Sequence, residues 1–143
     1  MSTYVLDASV AAKWFLPAAG ETLVSESLQI LEGYSQGRIN LQVPDLFWPE
    51  IGNILWKAVR QGRLSTESAK QALYILAAQN IPTRPSQPIL SDAFEIAAAF
   101  QRSVYDSLYV ALALASGKLL VTADERLANS LAAHFPVRWL GSL

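Results

Sequence analysis

The chain contains no cysteine and a single histidine, His134. The first absence excludes disulfides, thiolate zinc sites and cysteine nucleophiles, and fits a reducing compartment. The second argues against histidine-rich metal sites and most Ser-His-Asp schemes. A strong basic excess is also lacking, since eleven Lys and Arg stand against twelve Asp and Glu for a net charge of −1. A nucleic acid would therefore have to be held by a local patch or through a bound cation. No apolar run reaches the roughly 18–20 residues of a membrane span: the longest, around Val110 to Ala115, is bounded by Asp106 and by Ser116-Gly117-Lys118. Met1-Ser2-Thr3 carries neither the basic region nor the cleavage site of a signal peptide. The expectation is a cytoplasmic protein with no membrane partner, whose chemistry comes from carboxylates, hydroxyls, lysine or arginine.

What is present is apolar: 52% of the residues are hydrophobic and 16% charged over a length of 143, which argues against disorder and fits one domain spanning residues 1–143. No repeat, linker or low-complexity tract divides it. Thr3 to Leu6 reads as a first strand ending abruptly on Asp7, followed by a short helix with Ser9 as its N-cap and Pro17 and Gly20 beyond it. Val24, Leu28 and Leu31 mark a helix over Glu21 to Tyr34, and Ile39 to Val43 a second strand closed by Pro44. Asp45 is placed to cap a helix whose stripe runs Ile51, Ile54, Leu55, Ala58 and Val59, with Pro49 in or just before its first turn. Ser65 opens another helix, Ile81 to Arg84 can be only a short or edge strand, and Pro88 begins a further helix. Ser103 to Ala115 is apolar nearly all round, the pattern of a helix buried on more than one face. Gly117 stops it, Lys118 to Thr122 suits a buried parallel strand, Ala123 to Ala133 is helical, and Val137 to Leu140 can be a last strand. Helices separate most strands, so the fold class is α/β: a mainly parallel sheet of four to five short strands between helical layers, because parallel pairing requires long crossovers.

Four acids stand out, each with an ordinary structural alternative. Asp7 can be a turn residue and Glu50 a first-turn acid favoured by the helix dipole, while Ser103-x-x-Asp106 and Thr122-x-x-Glu125 both read as capping boxes. Together they point elsewhere. Asp7 and Asp124 each follow an apolar strand, so in a parallel sheet with those strands adjacent both fall on the carboxyl edge, where such sheets place their sites. Asp106 begins a helix running away from that edge, and Glu50 starts a helix after a strand, so all four can converge. Clustered carboxylates repel one another unless a cation sits among them. An all-oxygen set suits a hard ion such as Mg²⁺ or Mn²⁺, which binds phosphate oxygens readily and points to phosphoryl-ester chemistry.

Four blocks carry a family resemblance: Val5-Leu6-Asp7-Ala8-Ser9-Val10, Val43-Pro44-Asp45-Leu46 leading to Glu50, Tyr105-Asp106-Ser107-Leu108-Tyr109-Val110-Ala111-Leu112-Ala113, and Leu120-Val121-Thr122-Ala123-Asp124-Glu125-Arg126-Leu127. In this order they resemble a PIN-domain ribonuclease of the VapC toxin type, over essentially the whole chain. The resemblance implies a PIN-like three-layer sandwich in which Asp7, Glu50, Asp106 and Asp124 are the catalytic acids that bind Mg²⁺ or Mn²⁺, supported by hydrogen bonds from Thr122 and Ser9. It also implies cleavage of RNA by metal-activated water, a homodimer, and an antitoxin that wraps the toxin with a helical tail.

Among the cations nearest these blocks (Lys13, Lys57, Arg60, Arg63, Arg102 and Arg126), Lys13 and Arg126 follow them closely enough to contact phosphate. Trp14, Trp48 and Trp56 can stack bases, but core or interface is the commoner use. Phe47, Trp48 and Trp56 beside Pro44 and Pro49 can line a groove for a partner helix, and His134 is expected at the surface. The competing readings are a catalytically silent PIN-like domain that binds RNA or protein, and an aspartyl-phosphate phosphatase. The latter normally needs a second acid two residues after the first strand's Asp, where this chain has Ser9. A dinucleotide site is disfavoured because the turn after the first strand has no glycine.

Overall fold

The computed structural model describes residues 2–143. Its elements are β1 (Ser2–Leu6), α1 (Ala8–Ala12), α2 (Val24–Ser35), β2 (Ile39–Pro44), α3 (Phe47–Arg60), α4 (Thr66–Ala77), β3 (Thr83–Arg84), α5 (Leu90–Phe100), α6 (Val104–Ser116), β4 (Leu119–Thr122), α7 (Glu125–Leu131) and β5 (Val137–Trp139). The strands form one sheet in the order β3-β2-β1-β4-β5, and every neighbouring pair is parallel. β1 lies between β2 on one side and β4 on the other, so the chain builds outward from β1 first one way and then the other. The carboxyl end of β1 is therefore the switch point at which open α/β sheets form a crevice.

Alternation along the strands divides the core into two layers, since successive side chains of a strand point to opposite faces. Leu6, Leu41, Val43 and Val121 pack with Val10, Ile30, Phe47, Ile51, Leu55 and Leu76 from α1 to α4. Val5, Leu120 and Val137 pack with Ile96, Leu108, Tyr109, Leu112, Leu127 and Leu131 from α5 to α7. Each fully buried Leu, Ile or Phe contributes about 1.5–3 kcal/mol relative to exposure, so both helical layers are held mainly by apolar burial. Ser107 through Ala113 of α6 are all buried, as its continuous apolar pattern predicts. Gly117 ends that helix in the left-handed conformation, with φ +65°.

Several local expectations are redirected by long-range contacts. α2 begins at Val24 rather than near Glu21, because Leu23 is left-handed at φ 58° and the Glu21 carboxylate is drawn into ion pairs with Lys13 (3.1 Å) and Arg63 (3.0 Å). Asp45 does not cap α3: its carboxylate takes the backbone N–H and the hydroxyl of Ser86, 41 residues away, and α3 starts at Phe47 with Pro49 in its first turn. β3 is a two-residue edge strand, in keeping with Pro82 beside it. Trp14 and Trp48 are structural, their indole N–H groups donating to the Ser27 carbonyl (2.8 Å) and the Thr83 hydroxyl (3.0 Å), while Trp56 is half exposed. His134 is exposed with its ring beside Phe100.

Candidate active site

Leu6 pairs with Val121, so Asp7, the first residue past β1, comes beside Thr122, the last residue of β4. The Asp7 N–H is anchored on the Val121 carbonyl at 3.1 Å, which holds the Asp7 side chain against Thr122. The buried Thr122 hydroxyl donates to Asp7 Oδ2 at 2.7 Å and accepts from the Asp124 N–H at 3.0 Å. One hydroxyl thus ties together two acids that are far apart in the chain. Asp7 Oδ1 accepts from the Ser9 N–H at 3.4 Å, so Asp7 rather than Ser9 is the N-cap of α1. Ser9 lies inside that helix, where its hydroxyl accepts from the Ala123 N–H at 3.1 Å and pins the β4–α7 turn to α1. Asp124 likewise displaces Thr122 as the cap of α7, its Oδ1 accepting from the Leu127 N–H at 3.1 Å.

The helical layers bring the other two acids. Ser103 caps α6 as its spacing predicts, accepting from the Asp106 N–H at 3.0 Å, and so sets Asp106 in the first turn. Glu50 sits in the first turn of α3, where Tyr109 of α6 donates its hydroxyl proton to Glu50 Oε1 at 2.5 Å. Asp7, Glu50 and Asp106 are near enough to act on one another. Burial pushes the Asp7 carboxyl above its usual range, the hydrogen bonds from Thr122 and Ser9 oppose this, and the charge of Asp106 adds to the rise. Burial also raises Glu50, and the charges of Asp7 and Asp106 raise it further against the pull of Tyr109. Tyr109 itself is driven far above the ordinary phenol range, by burial first and then by Asp7 and Glu50, so its proton stays on oxygen and is available to Glu50.

The fourth acid is joined to the third by a cation. Arg102 Nη2 lies 3.2 Å from Asp106 Oδ2 and 3.8 Å from Asp124 Oδ2. Lys13, by contrast, is ion-paired with Glu21 at 3.1 Å. Tyr109 and Arg102 are the site residues whose roles the sequence left unassigned. Tyr109 follows Asp106 by three positions, on the same helix face, and Arg102 precedes it by four; this spacing was the available signal. Beside Glu50, a cleft of about 420 Å³ is lined by Leu46, Pro49, Asn53 and Tyr105.

Among the described residues, no group of three or more Asp, Glu or His side chains is gathered tightly enough to hold an ion by itself. The donor set nevertheless fits a small hard ion. Mg²⁺ keeps several waters and takes one or two carboxylates plus substrate phosphates rather than a closed protein cage. Asp7 and Glu50, raised by burial and further by neighbouring carboxylates, are also the groups whose charge an ion would relieve.

With this geometry in view, the comparisons converge. A profile of the PIN domain family matches residues 4–130. The chain is 34% identical over 131 residues to ribonuclease VapC3 of Pyrobaculum aerophilum, covering 90% of this chain and 95% of that one. It belongs to the PIN domain family. Two solved structures share the fold: PAE2754 from Pyrobaculum aerophilum, with TM-score 0.71 and 23% identity over 99% of this chain and 85% of that one, and VapBC2 from Rickettsia felis, crystallised with a DNA fragment from its promoter, with TM-score 0.68 and 12% identity over 96% and 98%.

Proposed function

We propose that this single-domain protein is a divalent-metal-dependent endoribonuclease, the toxin of a type II toxin–antitoxin pair. The observation that carries the reading is the meeting of Asp7, Glu50, Asp106 and Asp124 at the switch point of a PIN-domain sheet, tied by Thr122, Tyr109 and Arg102. These four acids would supply the carboxylates that, together with water and substrate phosphate, hold Mg²⁺ or Mn²⁺, which would supply activation of water and stabilisation of charge on a phosphodiester. The remaining roles belong to the chain's own groups. Thr122 and the Ser9 N–H orient Asp7 and favour its charged form against burial, Tyr109 orients Glu50, and the Leu46, Pro49 and Tyr105 walls of the cleft that Glu50 borders offer an RNA strand an apolar and aromatic seat.

Relatives named as ribonucleases and toxin–antitoxin complexes support the same assignment. A homodimer, an antitoxin and a cytoplasmic setting belong to the reading. The exposed apolar side chains of Trp56, Tyr74, Ile75 and Phe94 are surface that protein partners would cover.

The test is a cleavage time course on a mixed RNA pool with Mn²⁺ or Mg²⁺, a chelator control, and Asp7→Asn and Asp124→Asn alongside. Chelator-sensitive cutting that both variants lose is expected, with far-ultraviolet circular dichroism unchanged. Cutting by either variant at the wild-type rate refutes the assignment of these acids. Tight RNA binding without turnover under either ion favours the silent binding domain instead.

A further inference from the structure

The guanidinium of Arg102 occupies the gap between two of the four acids. α5 ends with Gln101 in the left-handed conformation, φ 58°, and the Arg102 N–H returns to the Ala97 carbonyl at 3.2 Å. This tight stop, one residue before the Ser103 cap, aims the Arg102 side chain along the first turn of α6 at the carboxyl edge. A single nitrogen, Nη2, then serves Asp106 of α6 and Asp124 at the start of α7. The usual strong arrangement of arginine with carboxylate is a two-pronged fork on one partner. Here one nitrogen is shared between two partners, and Nε is buried with no acceptor. An unsatisfied buried donor is costly, so the guanidinium is held by the charge of the two carboxylates rather than by a full set of hydrogen bonds. Asp124 Oδ1 is committed to the α7 cap, which leaves Oδ2, the oxygen facing Arg102, as its free ligand atom.

We propose that Arg102 is a resident counter-cation of the site, neutralising Asp106 and Asp124 when no ion is bound and competing with a divalent ion for the same two oxygens. Arg102 is then a residue that sets ion affinity, acting through the carboxylates. The proposal rests on the reading of the acids as ion ligands. Because ion and guanidinium oppose each other on shared oxygens, their coupling is reciprocal: removing the guanidinium tightens ion binding, and binding the ion weakens the contribution of the guanidinium to stability.

The experiment measures Mn²⁺ binding calorimetrically for wild type, Arg102→Gln and Arg102→Lys, together with thermal unfolding in chelator and in saturating Mn²⁺. Couplings between sites commonly correspond to about 5–150-fold. The expected result is Mn²⁺ binding at least about fivefold tighter in Arg102→Gln, with Arg102→Lys intermediate because a shorter point charge cannot span both acids. Arg102→Gln should also melt lower than wild type in chelator, with the gap closing under saturating Mn²⁺. A purely structural role would lower melting equally in both conditions and leave affinity unchanged. Binding by the wild type with equal or weaker affinity in Arg102→Gln overturns the proposal while leaving the acids as ligands. Binding by none of the three proteins overturns the reading of the acids and the proposal with it.

Discussion

Replacing Thr122 by valine keeps shape and volume while deleting one hydroxyl, and the structure assigns that hydroxyl two bonds at the centre of the site. It donates to Asp7 Oδ2 at 2.7 Å and accepts from the Asp124 N–H at 3.0 Å, and the residue is fully buried. A hydrogen bond to a charged group contributes about 1.5–3 kcal/mol, and a donor stripped of its acceptor costs about 1–3 kcal/mol if it stays buried. Asp124 is exposed, so water recovers part of the second cost. The expected loss is therefore about 2–3 kcal/mol. For a chain of this size each kcal/mol lowers the melting temperature by about 2–4 °C, a fall of roughly 4–12 °C. Urea unfolding in chelator is the assay, with the slope against denaturant unchanged because the buried surface is unchanged. Thr122→Ser, which retains the hydroxyl, should lose only the burial of one methyl, about 1 kcal/mol. A loss below about 0.5 kcal/mol in Thr122→Val, or an equal loss in both variants, would refute the assignment of this hydroxyl as the tie between Asp7 and Asp124.

Two further predictions lie away from the acids. Glu21→Gln should destabilise the fold by about 1–3 kcal/mol at neutral pH by leaving the largely buried Lys13 and half-covered Arg63 without their partner. Burial acts to raise the Glu21 carboxyl, but the hydrogen bonds and charges of Arg63 and Lys13 outweigh it and hold the group below its ordinary value. Its stabilisation is thus present above the usual glutamate range and lost as pH falls through the depressed value. The gap between wild type and Glu21→Gln in denaturant titrations should close on acidification; a gap that persists or widens contradicts the ion-pair account. Gly117→Ala should cost about 1–2 kcal/mol through backbone conformation alone, because Gly117 has φ +65° and an added Cβ would meet nothing within 4 Å. Chemical denaturation showing no loss would mean that α6 does not need its left-handed stop.

What the sequence by itself determined were the features that near neighbours control. The apolar runs that became β1, β2 and β4, the Ser65 and Ser103 caps and the Gly117 stop all depend on residues within a few positions. Side-chain period, capping and backbone freedom act over that distance. The four acids were legible as strand-end and helix-start residues for the same reason. Only the tertiary structure decided the strand order that sets β1 beside β4, and with it the contact between Asp7 and Thr122, 115 residues apart, and between Glu50 and Tyr109, 59 apart. It also decided which local signal prevailed where two competed. Asp45 serves Ser86 instead of its own helix, and Asp7 and Asp124 take the caps that Ser9 and Thr122 were placed to supply. It brought Arg102 rather than Lys13 to the carboxylates, since Lys13 meets Glu21 first. A polar side chain makes few bonds, and once the sheet is assembled these go to the partners brought nearest in space, whatever their separation along the chain.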